Sequence, residues 1–150
     1  MDKIKIYDAK LGKAVLAEPM IKSDAEWRPL LTPKQFEVTA RQGTEPPFTC
    51  LFEQVQENGL FRCVRCGTDL FNTGTKFDSR TGWPSYYQPV SELNIRYVED
   101  NSSGLMRTEV RCARCGAHLG HVFDDGPPPT FKRYCINGVA LKFVNLNPPL

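Results

Sequence analysis

The chain has 150 residues, 41% of them hydrophobic and 24% charged, with a formal net charge of +2. That length suits one domain (residues 1–150) with a core of its own, and so small a charge argues against a nucleic-acid partner. Met1-Asp2-Lys3-Ile4-Lys5-Ile6 lacks the apolar core of a signal peptide, and no run nears membrane-spanning length. A cytoplasmic monomer without membrane partners is expected. In that reducing compartment six cysteines point to metal binding and catalysis more than to a disulfide framework.

Residues 1–22 alternate weakly around Lys10-Leu11-Gly12 and read as an arm or loose strand pair. Ser23-Asp24-Ala25-Glu26 is a capping box that starts a helical turn, which Pro29 should end, with Trp27, Leu30 and Leu31 as its buried face. Thr32 opens a second helix, with Pro33 at its first position, Gln35 as the reciprocal cap and Gly43 as the stop. From Thr44 onward aromatic and β-branched runs alternate with turn chemistry, which predicts antiparallel β structure. Asn58-Gly59 reads as a hairpin turn. Asn94 to Glu99 and Leu105 to Arg111 flank a second hairpin, Leu119 to Phe123 is a strand, and Phe131 to Ile136 with Val139 to Val144 reads as a hairpin around Asn137-Gly138. Pro127-Pro128-Pro129 cannot pair in a sheet and should be a stiff surface loop.

A repeat organises this β region: Arg62-Cys63-Val64-Arg65-Cys66-Gly67 and Arg111-Cys112-Ala113-Arg114-Cys115-Gly116. Two Cys-x-x-Cys-Gly half-sites can place four thiolates tetrahedrally around one Zn²⁺. Glycine suits the tight turn that would aim backbone N–H groups at the sulfurs. Arg62, Arg65, Arg111 and Arg114 are placed to offset the excess negative charge. Redox dithiols or buried cysteines explain the duplicated flanks less well.

Both histidines fall in Cys115-Gly116-Ala117-His118-Leu119-Gly120-His121-Val122-Phe123. They could ligate the metal or be hydrogen-bonded structural residues. Four thiolates already close a structural site, so Cys63, Cys66, Cys112 and Cys115 are the expected ligands and both imidazoles stay free of the metal. Cys135, in Lys132-Arg133-Tyr134-Cys135-Ile136-Asn137, lies two residues from a guanidinium on the same strand face, and a neighbouring cation lowers a thiol pKa. An activated thiolate and an inert buried cysteine both fit that pattern.

Thr81-Gly82-Trp83-Pro84-Ser85, His118 to Phe123 and Arg133-Tyr134-Cys135-Ile136-Asn137, in that order around two Cys-x-x-Cys pairs, resemble a methionine-R-sulfoxide reductase of the MsrB type, from about Ser23 to Phe143. The resemblance implies a mainly β fold: two antiparallel β-sheets, short N-terminal helices and a four-cysteine structural zinc site. It implies Cys135 as nucleophile, Trp83 as the wall of a methyl pocket, His118, His121 and Asn137 as groups that orient the sulfoxide, and Arg133 as a stabiliser of the thiolate. It also implies thioredoxin as reductant. Many members carry a resolving cysteine just before Gly-Trp-Pro, where this chain has Arg80 and Thr81, so recycling must differ. Cys50, the one thiol left unassigned, follows Pro46-Pro47-Phe48-Thr49 in an extended connection and is expected to resolve a Cys135 sulfenic acid. The competing reading is a zinc-ribbon-like binding module in which Cys135 and the histidines are structural.

Overall fold

A computed structural model describes residues 2–49 and 58–146. Strands β1 (Ile4–Asp8) and β2 (Lys13–Ala17) form a hairpin, the expected arm. It is tied to the body through Asn94, whose side chain accepts from the Tyr7 amide (2.7 Å) and donates to the Tyr7 and Asp69 carbonyls.

Helix α1 (Asp24–Trp27) opens on the Ser23 capping box and gives way to a 3₁₀ turn at Arg28–Leu30. Trp27 is buried, but the turn imposed by Pro29 carries Leu30 outward, where it is 62% exposed, contrary to expectation. Helix α2 (Pro33–Arg41) has the Thr32–Gln35 box and buries Phe36, Val38 and Thr39. Its left-handed cap is Gln42 (φ 57°), one residue before the expected Gly43. Among the described residues no helix is long and apolar enough to cross a membrane.

The β region makes two antiparallel sheets. One has three strands in the order β11 (Leu141–Asn145), β3 (Gly59–Cys63), β4 (Asp69–Asn72). The other has six, in the order β5 (Lys76–Phe77), β6 (Ser85–Tyr86), β10 (Arg133–Ile136), β9 (His118–Phe123), β8 (Arg107–Cys112), β7 (Ile95–Asp100). Aromatic side chains weld the two sheets: Phe71 of β4 stacks on Tyr86 of β6 with centroids 4.4 Å apart, Phe61 of β3 meets Tyr86 edge-on, and Phe71 also packs against Tyr134 of β10.

Two expected turns are corrected. Gly59 lies within β3 opposite Asn145, where a Cβ would stand 2.5 Å from the Phe143 ring, so it permits close packing rather than a hairpin turn. Nor do β10 and β11 form a hairpin: β10 pairs with β6 and β9, β11 pairs with β3, and a 3₁₀ turn at Gly138–Ala140 carries the chain between the sheets.

Candidate active site

β10 places Cys135 at the centre of the large sheet, opposite Ser85 of β6 on one side and His121 of β9 on the other. His121 in turn faces Glu109 of β8. Strict alternation would put His118 and His121, three residues apart, on opposite faces. A register shift between β8 and β9 prevents this: Arg111 pairs with His118 and Val110 with Gly120, so Leu119 is the extra residue of a β-bulge. Both imidazoles therefore share a face, their ring centroids 5.6 Å apart.

A pocket of about 300 Å³ opens over Cys135, lined by Thr81, Trp83, His121, Phe123, Arg133 and Asn137, and by the unanticipated Thr44 and Arg107. Five of the sequence-derived site residues thus converge. His118 stands outside the lining: only 3% exposed, it bonds through Nδ1 to Glu109 Oε2 at 2.6 Å. Cys50 lies outside the described residues.

Glu45 holds the pocket together, a role that sequence reasoning missed because it sits between Thr44 and two prolines with no periodicity to mark it. Its carboxylate is 1% exposed with its residue and accepts from the amides of Gly138 (2.8 Å) and Val139 (3.0 Å). Its own amide donates to Asn137 Oδ1 (3.0 Å), and its carbonyl accepts the Trp83 indole N–H (2.7 Å). Asn137 donates through Nδ2 to the Leu119 carbonyl, at the bulge (3.1 Å). One residue thereby connects the aromatic wall, the turn after β10 and the distorted part of β9.

The electrostatics are mixed. Burial pushes the Cys135 thiol above its ordinary range; Arg133 and a hydrogen bond from Thr81 pull it back in part, while Glu45 pushes it further up. Arg133 lowers the thiol in the expected sense without winning, and its guanidinium also grips Asp125 (2.9 and 3.2 Å) and lies over the Phe123 ring. Burial lowers the affinity of His118 for a proton, partly offset by Glu109. Asp100, the last residue of β7, bonds His121 Nε2 at 2.7 Å; hydrogen bonds from Ser102 and then His121 hold its carboxyl well below the usual range.

The four knuckle cysteines meet, their Sγ atoms all within 4.8 Å of one another and two pairs at 3.5 Å. Cys63 and Cys66 flank the β3–β4 turn, Cys112 and Cys115 the β8–β9 turn, and Gly67 (φ 76°) and Gly116 (φ 78°) take the left-handed conformation that each turn requires. The arginines are held by partners of their own: Arg62 by Asp69, Arg65 by Thr39, Arg111 by Glu109 and Arg114 by the Glu18 carbonyl. Charge compensation by these four is thereby shared with other groups.

A family model described as the SelR domain matches residues 31–145. The chain is 51% identical over 129 residues to the peptide methionine sulfoxide reductase MsrB of Agrobacterium fabrum (strain C58), covering 85% of this chain and 96% of that one. It is 52% identical over 122 residues to the protein of the same name from Methanosarcina barkeri (strain Fusaro), covering 81% and 86%. To that of Thioalkalivibrio sulfidiphilus (strain HL-EbGR7) it is 53% identical over 121 residues, covering 81% and 88%.

Proposed function

The chain belongs to the SelR family and is a peptide-methionine (R)-S-oxide reductase; on that premise we propose that Cys135 is its nucleophile and that the reaction passes through a sulfenic acid. The observation that carries this reading is the convergence of Cys135, Trp83 and His121 on one pocket of substrate size. The Cys135 thiolate attacks the sulfoxide sulfur. The S–S bond so formed breaks again as the oxygen, taking up a proton, passes to the Cys135 sulfur: the substrate S–O bond breaks, the Cys135 S–O bond forms, two electrons stay on the substrate sulfur as a thioether, and Cys135 ends as S–OH. A sulfoxide is a poor electrophile until its oxygen is protonated or strongly hydrogen-bonded, and His121 is the pocket's candidate donor. Trp83, its indole held by Glu45, offers a fixed apolar wall to the S-methyl group. Asn137 keeps a second N–H for substrate after bonding Leu119. His118, behind the lining, is fixed by Glu109, the residue opposite His121 in the sheet, and Arg133 favours the thiolate.

Recycling requires a second thiol: it attacks the S–OH, releases water and leaves a disulfide, which an external dithiol reduces. We assign the second thiol to Cys50 and the dithiol to thioredoxin, in a cytoplasmic, monomeric enzyme. The segment leading to Cys50 docks beside the pocket, with the Phe48 amide bonded to the Gly82 carbonyl at 2.7 Å.

Zn²⁺ is the ion we assign to the four cysteines. A tetrahedron with Zn–S bonds of about 2.3 Å spaces its sulfurs about 3.8 Å apart, close to the spacing here. Bound there, the ion would cross-link the two knuckle turns. The deciding experiment supplies separated R and S sulfoxides of dabsyl-methionine with dithiothreitol. Turnover of R alone, abolished in Cys135→Ser, is expected; no turnover of either would favour a binding module.

A further inference from the structure

Each imidazole of β9 ends on a carboxylate, but the two pairs sit in different places. His118 and Glu109 are 3% and 2% exposed, and Glu109 is shared with Arg111 (2.9 Å) and Gln42 (3.2 Å). His121 and Asp100 are 14% and 16% exposed, and His121 lines the pocket over Cys135.

Asp100 closes the β7–β8 hairpin opposite Arg107 and is held from several sides. It accepts from the Ser102 amide (2.9 Å) and hydroxyl (2.6 Å) on Oδ1, and from Arg107 Nη2 (3.3 Å) on Oδ2, beside the contact with His121 Nε2 at 2.7 Å. A carboxylate so surrounded by donors is ionised and has only lone pairs to offer. The hydrogen in the contact therefore belongs to Nε2. The other charged or titratable groups about His121 are Glu109 and Arg107 on β8, His118 on its own strand, and Arg133 and Cys135 on β10. Among the described residues none of these hydrogen-bonds its ring.

We propose that Asp100 is a positioning residue of the reductase: it holds His121 with a hydrogen on Nε2, so that Nδ1 is the ring atom left to hand a proton to the sulfoxide oxygen. The inference rests on the reductase reading above. In the balanced step the Cys135 thiolate supplies the electron pair and His121, protonated on both nitrogens, supplies the Nδ1 proton. The substrate S–O bond breaks as the Cys135 S–O bond forms, and the products are the thioether, the S–OH and neutral His121. His121 recovers its proton from water or from the next thiol. The role parallels that of a carboxylate orienting a catalytic imidazole in hydrolytic triads, where loss of the carboxylate leaves the ring in the wrong tautomer.

The test has two arms. On the native protein, ¹⁵N NMR of the imidazoles reads the tautomer directly: neutral His121 should carry its hydrogen on Nε2, and a hydrogen on Nδ1 would overturn the proposal, whether or not any variant folds. In kinetics on the R sulfoxide with dithiothreitol, D100N should lower kcat by roughly 10- to 100-fold with KM within about twofold, within the usual reach of acid–base catalysis. D100E should recover part of the loss, and D100N/H121N should be no slower than H121N. Full kcat in D100N, or losses that multiply in the double variant, would overturn the proposal. A wild-type protein inactive on both epimers would overturn the reductase reading and this inference with it, and so is distinguishable from an active enzyme indifferent to D100N.

Discussion

The indole N–H of Trp83 donates to the main-chain carbonyl of Glu45 at 2.7 Å, and the buried carboxylate of the same Glu45 accepts two amides from the turn that follows Cys135. The Trp83 side of the pocket and the strand that carries Cys135 are thereby referred to one residue. Glu45→Gln keeps an acceptor for one amide but points an NH₂ at the other, and an unsatisfied buried donor costs about 1–3 kcal/mol. We expect Tm to fall and KM for the R sulfoxide to rise about tenfold, equivalent to about 1.4 kcal/mol. Steady-state kinetics and calorimetry check both, and an unchanged KM would confine Glu45 to a role in stability.

The Cys135 thiol should respond to pH in a defined way. Burial holds it above the ordinary thiol range, so iodoacetamide alkylation of the reduced, zinc-loaded enzyme should keep accelerating at pH values where a free cysteine, with pKa about 8.5, has levelled off. Thr81→Val and Arg133→Ala remove groups that lower the pKa and should shift the curve to higher pH. Glu45→Gln removes a negative charge and should shift it to lower pH. A curve for Arg133→Ala that overlays the wild type would remove Arg133 from thiolate stabilisation.

The metal assignment predicts one tightly held Zn²⁺ per chain. Cys63→Ser should unfold the domain or badly destabilise it, since structural zinc is worth up to roughly 10–16 kcal/mol in finger peptides against about 5–15 kcal/mol for a whole domain. His121→Ala should keep the metal and lose activity. Elemental analysis decides, and zinc lost from the His121 variant would mean that the imidazole is a ligand.

Cys50→Ser should complete a first turnover and then stall with thioredoxin. Peptide mapping of the wild type after one equivalent of sulfoxide should recover a Cys50–Cys135 disulfide. Normal cycling of the variant would mean that the sulfenic acid is reduced directly from outside.

Local chemistry made much of this molecule legible. Both capping boxes, the β7–β8 hairpin and the cysteine knuckles depend on residues within a few positions of one another, and each appears where the sequence puts it. What sequence left unread is non-local. Nothing near Asn137-Gly138 tells a hairpin from a crossing between sheets, because the difference lies in β11 choosing β3, far away in the chain. The bulge at Leu119 is equally silent, since an alternating reading sends His118 and His121 to opposite faces. Glu45 and Asp100 went unread for the same reason: their partners lie more than 90 and about 20 residues away.

The crossing from Cys135 to Leu141 also determines how the molecule can be taken apart. Ala140 accepts the Val64 amide inside the first knuckle, and Leu141, six positions after Cys135, pairs with Cys63 of the four-cysteine cluster. Neither centre can be transplanted into another scaffold without the backbone of the other. A fragment ending between Cys135 and Leu141 would lose the Val64–Ala140 hydrogen bond and the β3–β11 pairing together.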